Sequence, residues 1–311
     1  MGERGRLVLV ILPPKQTTAP FGRILTAMVT PFASDGSLDL PAARALARHL
    51  IEHGSEGIVT AGTTGESPTL TDGEKLELLA AVLDEVGDRV SVVANVGSND
   101  TAHSVHLARD SARAGAHALL VVTPYYNKPP IDGIVAHTAA IADAGDGAPI
   151  VYYNIPQRCV VNVEPAGIER LRDESGVVAV KQSTTDLGEA RAIVELGLAL
   201  YAGNDDLLAP FLELGGVGGI HVASHLIGRE MLQLCELAAA GDLDSMWSLE
   251  AQLAPVWEAL AVTTNPIALK AALELAGHAV GGVRLPLVPA TDAERAILRA
   301  MVEQRGLVVA A

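Results

Sequence analysis

Residues 57–87 read GIVTAGTTGESPTLTDGEKLELLAAVLDEVG and contain the unit from which most of the chain is built. A short apolar run at 57–62 is followed by a turn of small and hydroxylated residues, and then by a run rich in Leu and Ala. Thr71 and Glu74 have the spacing of a capping box, in which each side chain bonds the other's backbone N–H at the start of a helix. The stretch therefore predicts one β-strand followed by one α-helix over 72–86.

The same unit recurs along the chain. Eight apolar runs favour strands, at 24–31, 57–62, 91–97, 118–124, 149–154, 177–183, 199–205 and 218–224. Between them lie helical patterns such as 40–53, 72–86, 101–114 and 132–144. Apolar runs without alternation indicate strands buried on both faces, which is typical of parallel sheets. Eight β-α units in succession predict the α/β class and a closed (β/α)8 TIM barrel.

The length of 311 residues fits a single barrel with additions at both ends. We expect a flexible N-terminal extension at 1–20, the barrel at 21–225 and a helical region at 226–311. Helical patterns fill that last region, broken at 263–266 and at 284–286. It is predicted to be a C-terminal helical appendix without a catalytic site of its own.

Composition argues against several classes of function. The formal net charge of −15 disfavours binding to nucleic acids and to anionic membranes, because phosphate groups repel it. No apolar run is long enough to span a bilayer, and Leu7–Leu12 is too short for a signal-peptide core. Cys159 and Cys235 cannot form a disulfide framework, so a reducing cytoplasm is expected. His103 and His106 are spaced i, i+3, but no third metal ligand is evident, and no metal site is predicted.

Lys181 is the residue that most strongly suggests chemistry. Barrel enzymes carry their active sites at the C-terminal ends of the strands, and Lys181 follows the apolar run 177–180. A buried ammonium is unfavourable, so the pKa should fall and a free amine should be available to attack a ketone. The alternative is a structural lysine paired with a carboxylate at the barrel mouth.

Two other features of the strand ends fit a small 2-keto acid. The turn 62–65, Gly-Thr-Thr-Gly, can direct N–H groups and hydroxyls at a carboxylate, although it could be an ordinary turn. Four of the five tyrosines form two pairs at 125–126 and 152–153. A phenol beside an imine can transfer protons, whereas one member of each pair is expected only to anchor its strand end.

Four segments together resemble the dihydrodipicolinate synthase / N-acetylneuraminate lyase family. They are GTTGES at 62–67, TPYYNKP at 123–129, YNIPQR at 153–158 and VK at 180–181, in order and with the spacing of the family. The match extends from about Gly22 to the C-terminus. The resemblance implies a barrel lyase that forms a Schiff base and needs no cofactor.

The resemblance also implies a role for each residue at the site. Lys181 would form the imine with pyruvate, and Thr63 and Thr64 would hold the pyruvate carboxylate. Tyr153 would be the general acid/base, linked through the Thr63 hydroxyl to Tyr126 of a neighbouring subunit. A homotetramer built from two dimers is therefore expected.

The second substrate implied is L-aspartate 4-semialdehyde, which would be condensed with pyruvate in lysine and diaminopimelate biosynthesis. Arg158 would bind its carboxylate, and the Gly203 backbone and the Ile220 carbonyl would line the same cavity. The chain departs from the usual family pattern at Gln182, Asn204 and His221. A related aldolase, lyase or sugar-acid dehydratase acting on another aldehyde or keto acid therefore stays open.

Feedback control is expected to be altered. Lysine-inhibited members of the family carry a glutamate where this chain has His103, and two histidines are common at the positions of Asp72 and Lys75. A histidine cannot supply the anion that would bind an amino group. Weak or absent inhibition by lysine is therefore predicted.

Overall fold

The computed structural model describes residues 18–307, and within them eight parallel strands close into a barrel in chain order. The strands are β1 Ile24–Ala27, β2 Gly57–Thr60, β3 Ser91–Asn95, β4 Ala118–Val122, β5 Ile150–Asn154, β6 Val177–Gln182, β7 Ala199–Ala202 and β8 Gly218–His221. β8 pairs with β1 and closes the sheet. The predicted (β/α)8 fold is confirmed.

Helices follow the strands and form the outer layer. They are α1 Leu40–Glu52, α2 Asp72–Val86, α3 Thr101–Arg113, α4 Ile131–Ala144, α5 Pro156–Cys159, α6 Pro165–Ser175, α7 Leu187–Glu195, α8 Leu208–Glu213, α9 Ser224–Ala240, α10 Leu243–Leu260, α11 Ile267–Leu275 and α12 Asp292–Gln304. The capping box of α2 is present, with both the Thr71 and the Glu74 side-chain bonds formed.

Most strands end earlier than the sequence predicts. β1 ends at Ala27 instead of residue 31, and β7 ends at Ala202 instead of residue 205. The residues that follow are hydroxylated or small, and they leave the hydrogen-bonded ladder to form the turns around the barrel mouth. Those turns carry the candidate site.

Two apolar layers stabilise the barrel. Side chains that point inward, such as Leu25, Val93 and Val151, fill its interior, while Ile24, Val92 and Leu119 pack outward against the helices. This alternation on strands buried on both faces explains why the runs read as continuously apolar.

The ends of the chain differ in how far they can be described. Residues 1–17 of the predicted N-terminal extension lie outside the described residues. At the other end, α9 begins at Ser224 and packs on β1 and α1, so the expected boundary after residue 225 falls within a helix of the barrel's outer ring. α10, α11 and α12 pack on one another, and the two predicted breaks lie between α10 and α12.

Candidate active site

A cavity of about 530 Å³ opens at the C-terminal ends of the strands. Its lining comes from the turns after β2 and β7, from β5 and β6, from α5, and from the end of α10. The predicted residues that line it are Thr63, Thr64, Tyr153, Arg158, Lys181 and Gly203. Six of the eight predicted site residues therefore meet in one place.

Lys181 lies on β6 directly beside Tyr153 of β5 and is 5% exposed. Its Nζ is 4.3 Å from the centroid of the Tyr153 ring, and no carboxylate among residues 18–307 lies within ion-pairing distance. Burial lowers the pKa of Lys181 from 10.5 to about 8, the Asp205 carboxylate opposes this shift, and Arg158 adds to it. The alternative of a lysine held in a structural ion pair is therefore not supported.

Tyr153 is buried beside the amine. Burial raises the pKa of its phenol to about 12, while the Ser183 hydroxyl, the Arg158 guanidinium and the Thr63 hydroxyl act in the opposite direction. The phenol is therefore protonated at neutral pH and can donate a proton to a bound substrate. Its neighbour Tyr152 points to the other face, where its hydroxyl lies 2.8 Å from Thr123 Oγ1 and anchors β5 to β4.

The Thr63-Thr64 turn is held by the C-terminal part of the chain. Thr64 is buried, and its Oγ1 accepts a hydrogen bond of 2.9 Å from Nδ2 of Asn265, which also lines the cavity. Asn265 is not among the residues predicted from the sequence, in which 263–266 reads only as a break between helices. A polar residue at such a break, directly before a proline, was the available signal.

A buried ion pair fixes the next residues of the same turn. Glu66 has a positive φ of 58°, and its Oε1 lies 2.7 Å from Nζ of Lys270 on α11. The Arg284 N–H donates a 2.9 Å hydrogen bond to Glu66 Oε2. Lys270, which the sequence gives no special setting, thus ties the candidate carboxylate-binding turn to the C-terminal helices.

Arg158 supplies a cation at the cavity wall. It lies on the short helix α5, and among the described residues its guanidinium has no carboxylate partner. An unpaired, planar guanidinium is well suited to bind an anionic group of a ligand.

The three positions that depart from the family pattern do not all face the cavity. Asn204 lines it. Gln182 points toward α7, where its Nε2 donates to Glu189 Oε2 at 3.2 Å, and His221 is fully buried on β8. Only Asn204 is therefore in a position to contact a substrate directly. The predicted Ile220 is also fully buried, within the barrel interior beneath the cavity.

Tyr126 does not join the other residues within one chain. Its side chain is 86% exposed, its φ is +72°, and it is not part of the cavity lining. Residues 18–307 contain no hydrogen bond between Tyr126 and Thr63. A link between these residues would have to come from another subunit.

Residues 18–307 contain no group of three or more His, Cys, Asp or Glu side chains that could hold a metal ion. His103 instead contacts Asp72, and His106 lies 3.4 Å from Asp110. Within the same residues, every helix is too short or too polar to cross a membrane.

Comparison with known proteins agrees with this geometry. Residues 20–305 match the Dihydrodipicolinate synthetase family. The chain is 47% identical to a 4-hydroxy-tetrahydrodipicolinate synthase of Symbiobacterium thermophilum, over 92% of this chain and 99% of that protein. It is 49% identical to the 4-hydroxy-tetrahydrodipicolinate synthase of Synechococcus sp., over 90% of this chain and 93% of that protein. The DHDPS structure from Cyanidioschyzon merolae with lysine bound has a TM-score of 0.90 at 40% identity, covering 92% of this chain and 99% of that one. The chain belongs to the dihydrodipicolinate synthetase family.

Proposed function

We propose that this protein is a 4-hydroxy-tetrahydrodipicolinate synthase, a class I lyase that condenses pyruvate with L-aspartate 4-semialdehyde in lysine and diaminopimelate biosynthesis. The observation that carries the proposal is the buried Lys181 amine, which has no ion-pair partner among the described residues and faces a cavity with an arginine and a hydroxyl-rich turn. Relatives of that name at 47% and 49% identity support the same reaction.

The first half of the reaction uses the groups around Lys181. The free amine adds to the C2 carbonyl of pyruvate, and loss of water from the carbinolamine gives the imine. The Tyr153 ring lies beside the amine, and its phenol is the proposed acid that protonates the departing hydroxyl. The turn at Thr63 and Thr64 is the proposed cradle for the pyruvate carboxylate. Removal of a C3 proton then gives the enamine.

The second half joins the aldehyde. The enamine carbon attacks the semialdehyde carbonyl, forming the new C–C bond, and the aldehyde oxygen takes up a proton. The substrate amine then attacks C2, closes the ring and displaces Lys181 as the free amine. Arg158 is the proposed partner of the semialdehyde carboxylate, because its guanidinium lines the cavity close enough to influence Lys181. No cofactor enters this scheme.

The exposed Tyr126 supports a proposal about assembly. A tyrosine that is 86% exposed on a strained backbone is costly for an isolated chain. Tyr126 of the partner subunit is proposed to reach Thr63 and extend the proton path from Tyr153, in a homotetramer made of two such dimers. A cytoplasmic location is proposed as well. Two buried free cysteines and relatives named as biosynthetic enzymes support it.

Borohydride trapping in the presence of pyruvate tests the first half-reaction. Mass spectrometry should locate the reduced pyruvyl adduct on Lys181, and the Lys181→Ala variant should give none. An unmodified Lys181 in the wild-type protein would refute the proposal.

A coupled assay with aspartate semialdehyde tests the second half-reaction. The Arg158→Ala variant should lose at least about tenfold in kcat/KM for the semialdehyde, the loss expected for one charge-assisted contact, while adduct formation with pyruvate is largely retained. An equal loss in both measurements would remove Arg158 from its assigned role. If the wild-type protein forms the pyruvyl adduct but does not turn over aspartate semialdehyde, the second substrate is a different aldehyde.

A further inference from the structure

Asp205 is a largely buried carboxylate at the wall of the candidate active site, with 14% of its side chain exposed. It follows β7, and its Oδ1 accepts hydrogen bonds from the N–H groups of Val222 at 3.0 Å and Ala223 at 3.2 Å. These bonds tie the end of β7 to the turn between β8 and α9. Asp205 lines the same cavity as Lys181, and its charge opposes the fall in the pKa of Lys181.

His221 approaches the same carboxylate from behind the cavity wall. The ring is 0% exposed, and its Nδ1 lies 3.2 Å from Asp205 Oδ1. Among the described residues, neither ring nitrogen makes a hydrogen bond of good geometry, so the approach to Asp205 is a close electrostatic contact. Gly219 provides the space for this arrangement, because a Cβ at that position would overlap the His221 ring. The ring is thus packed in an orientation that directs Nδ1 at Asp205.

The charges around these groups come from several elements. Lys181 is influenced by Asp205 after β7 and by Arg158 on α5, and it lies against the neutral phenol of Tyr153. The Asp205 charge also opposes the lowering of the pKa of His225 on α9 and adds to the raised pKa of Glu250 on α10. His221 is the only one of these residues that combines contact with Asp205 and complete separation from the cavity.

We propose that His221 is a positioning residue for the active site: through its contact with Asp205 it limits the negative field at Lys181 and so keeps the amine reactive near neutral pH. The inference rests on the proposed role of Lys181 as the imine-forming residue. His221 does not touch the substrate in this scheme and acts only through the Asp205 carboxylate.

The expected sign follows from the charges. The polar Nδ1 of the ring, 3.2 Å from Asp205 Oδ1, offsets part of the carboxylate's charge, and its removal leaves a stronger negative field at Lys181. The ammonium form of Lys181 is then favoured, and the free amine appears only at higher pH. Removal of the Asp205 charge should have the opposite effect.

The test is the pH profile of pyruvate adduct formation, measured by borohydride trapping and mass spectrometry. His221→Ser should move the rising limb of the profile to higher pH, lowering the trapping rate at pH 7 by about threefold to tenfold, since one pKa unit is a factor of ten. The rate at high pH should equal that of the wild type. His221→Asn, whose amide can take the place of Nδ1, should keep the wild-type limb.

The Asp205→Asn variant should have the opposite effect, with the rising limb of its pH profile displaced to lower pH. Circular dichroism and thermal unfolding show whether each variant is folded. A His221→Ser profile lowered equally at every pH, or a limb that does not move, would overturn the inference. If His221→Ser fails to fold, the other two variants decide. The inference would be overturned if the rising limb of the His221→Asn profile departed from that of the wild type. It would also be overturned if the limb of the Asp205→Asn profile stayed in place or moved to higher pH. An absence of adduct in the wild-type protein would instead reject the proposed function itself.

Discussion

At the scale of single residues, the proximity of Lys181 and Tyr153 explains how a deprotonated nucleophile and a protonated acid can be present in the same site. Burial disfavours the charged form of each side chain, which lowers the pKa of the amine to about 8 and raises that of the phenol to about 12. A nucleophile that needs to lose its proton and an acid that needs to keep its proton are therefore served by the same desolvated environment. This requires that neither has a fixed counter-ion.

The surroundings of His103 predict that L-lysine does not inhibit this protein. Its Nε2 lies 2.8 and 2.9 Å from the two carboxylate oxygens of Asp72, and Lys75 Nζ lies 3.6 Å from the same carboxylate. The carboxylate is thus already occupied, and Lys75 adds a cation that would repel the amino group of an effector. L-lysine at millimolar concentration should leave the initial rate unchanged in the coupled assay.

The matched variant for this prediction is His103→Glu. It introduces a carboxylate where the chain now has a ring, and measurable inhibition by lysine should appear. A wild-type inhibition constant in the millimolar range or below would contradict the prediction, whatever the variant does.

At the scale of elements, the turn after β2 depends on helices that follow it by about two hundred residues. Asn265 donates to Thr64, and Lys270 on α11 pairs with Glu66 while its Nζ also donates to the Gly282 carbonyl at 2.6 Å. The side chains of Glu66 and Lys270 are 1% and 3% exposed. The C-terminal region therefore holds the candidate carboxylate-binding turn in place.

Replacement of Lys270 by Met should destabilise the protein strongly. It leaves the Glu66 carboxylate buried without its cation, which typically costs about 3–5 kcal/mol in the free energy of unfolding. Chemical denaturation measures this loss. The double variant Glu66→Gln with Lys270→Met should lose clearly less, because the uncompensated charge is gone.

A surface pair gives the control. Arg295 on α12 lies 2.9 Å from Glu274, whose side chain is 64% exposed. Arg295→Met should change the free energy of unfolding by less than about 1 kcal/mol. Equal losses for Lys270→Met and Arg295→Met would show that the buried pair has no special weight.

At the scale of the whole molecule, the sequence predicts what depends on local pattern and misses what depends on distant contacts. The starts of the strands were predicted closely, because strands buried on both faces read as continuous apolar runs. Lys181, Tyr153 and Thr63 could be singled out because each lies at the end of a strand or just beyond it, whereas Arg158 entered only through the resemblance to the family. Asn265 could not be predicted from spacing, since it meets Thr64 across 201 positions of chain.

The position of a side chain on the inner or outer face was also beyond the sequence at β8. His221 follows a glycine pair, which offers no alternation from which to infer its direction. The structure places it outward, behind the cavity wall, which decides between the two faces that the sequence left open.

A cluster of histidines on the barrel's outer layer should make the molecule sensitive to acid. The ring of His49, on α1, lies 4.0 Å from that of His53 directly after the helix and 4.3 Å from that of His278 after α11. Burial, with repulsion from His278 and His53, lowers the pKa of His49 to about 4, and burial lowers that of His225 to about 4. Arg229 adds a further positive charge.

The sign of the effect follows from proton uptake. Unfolded histidines titrate near 6.5, so between about pH 6.5 and 4 the unfolded chain binds more protons than the folded one, and the free energy of unfolding falls as the pH falls. Urea unfolding at pH 7 and pH 5 should show this loss. His49→Gln should reduce the loss by about 1 kcal/mol, a discounted figure because solvent reaches part of the ring.

His106→Gln is the control for this experiment, because that ring is 62% exposed and lies apart from the cluster on α3. It should leave the difference between pH 7 and pH 5 unchanged. The acid sensitivity would not arise from the cluster if His49→Gln and His106→Gln gave the same difference as the wild type. A reduced difference in His49→Gln alone would locate the proton uptake at the contact between α1 and the C-terminal region, the same region that holds the active-site turn through Lys270.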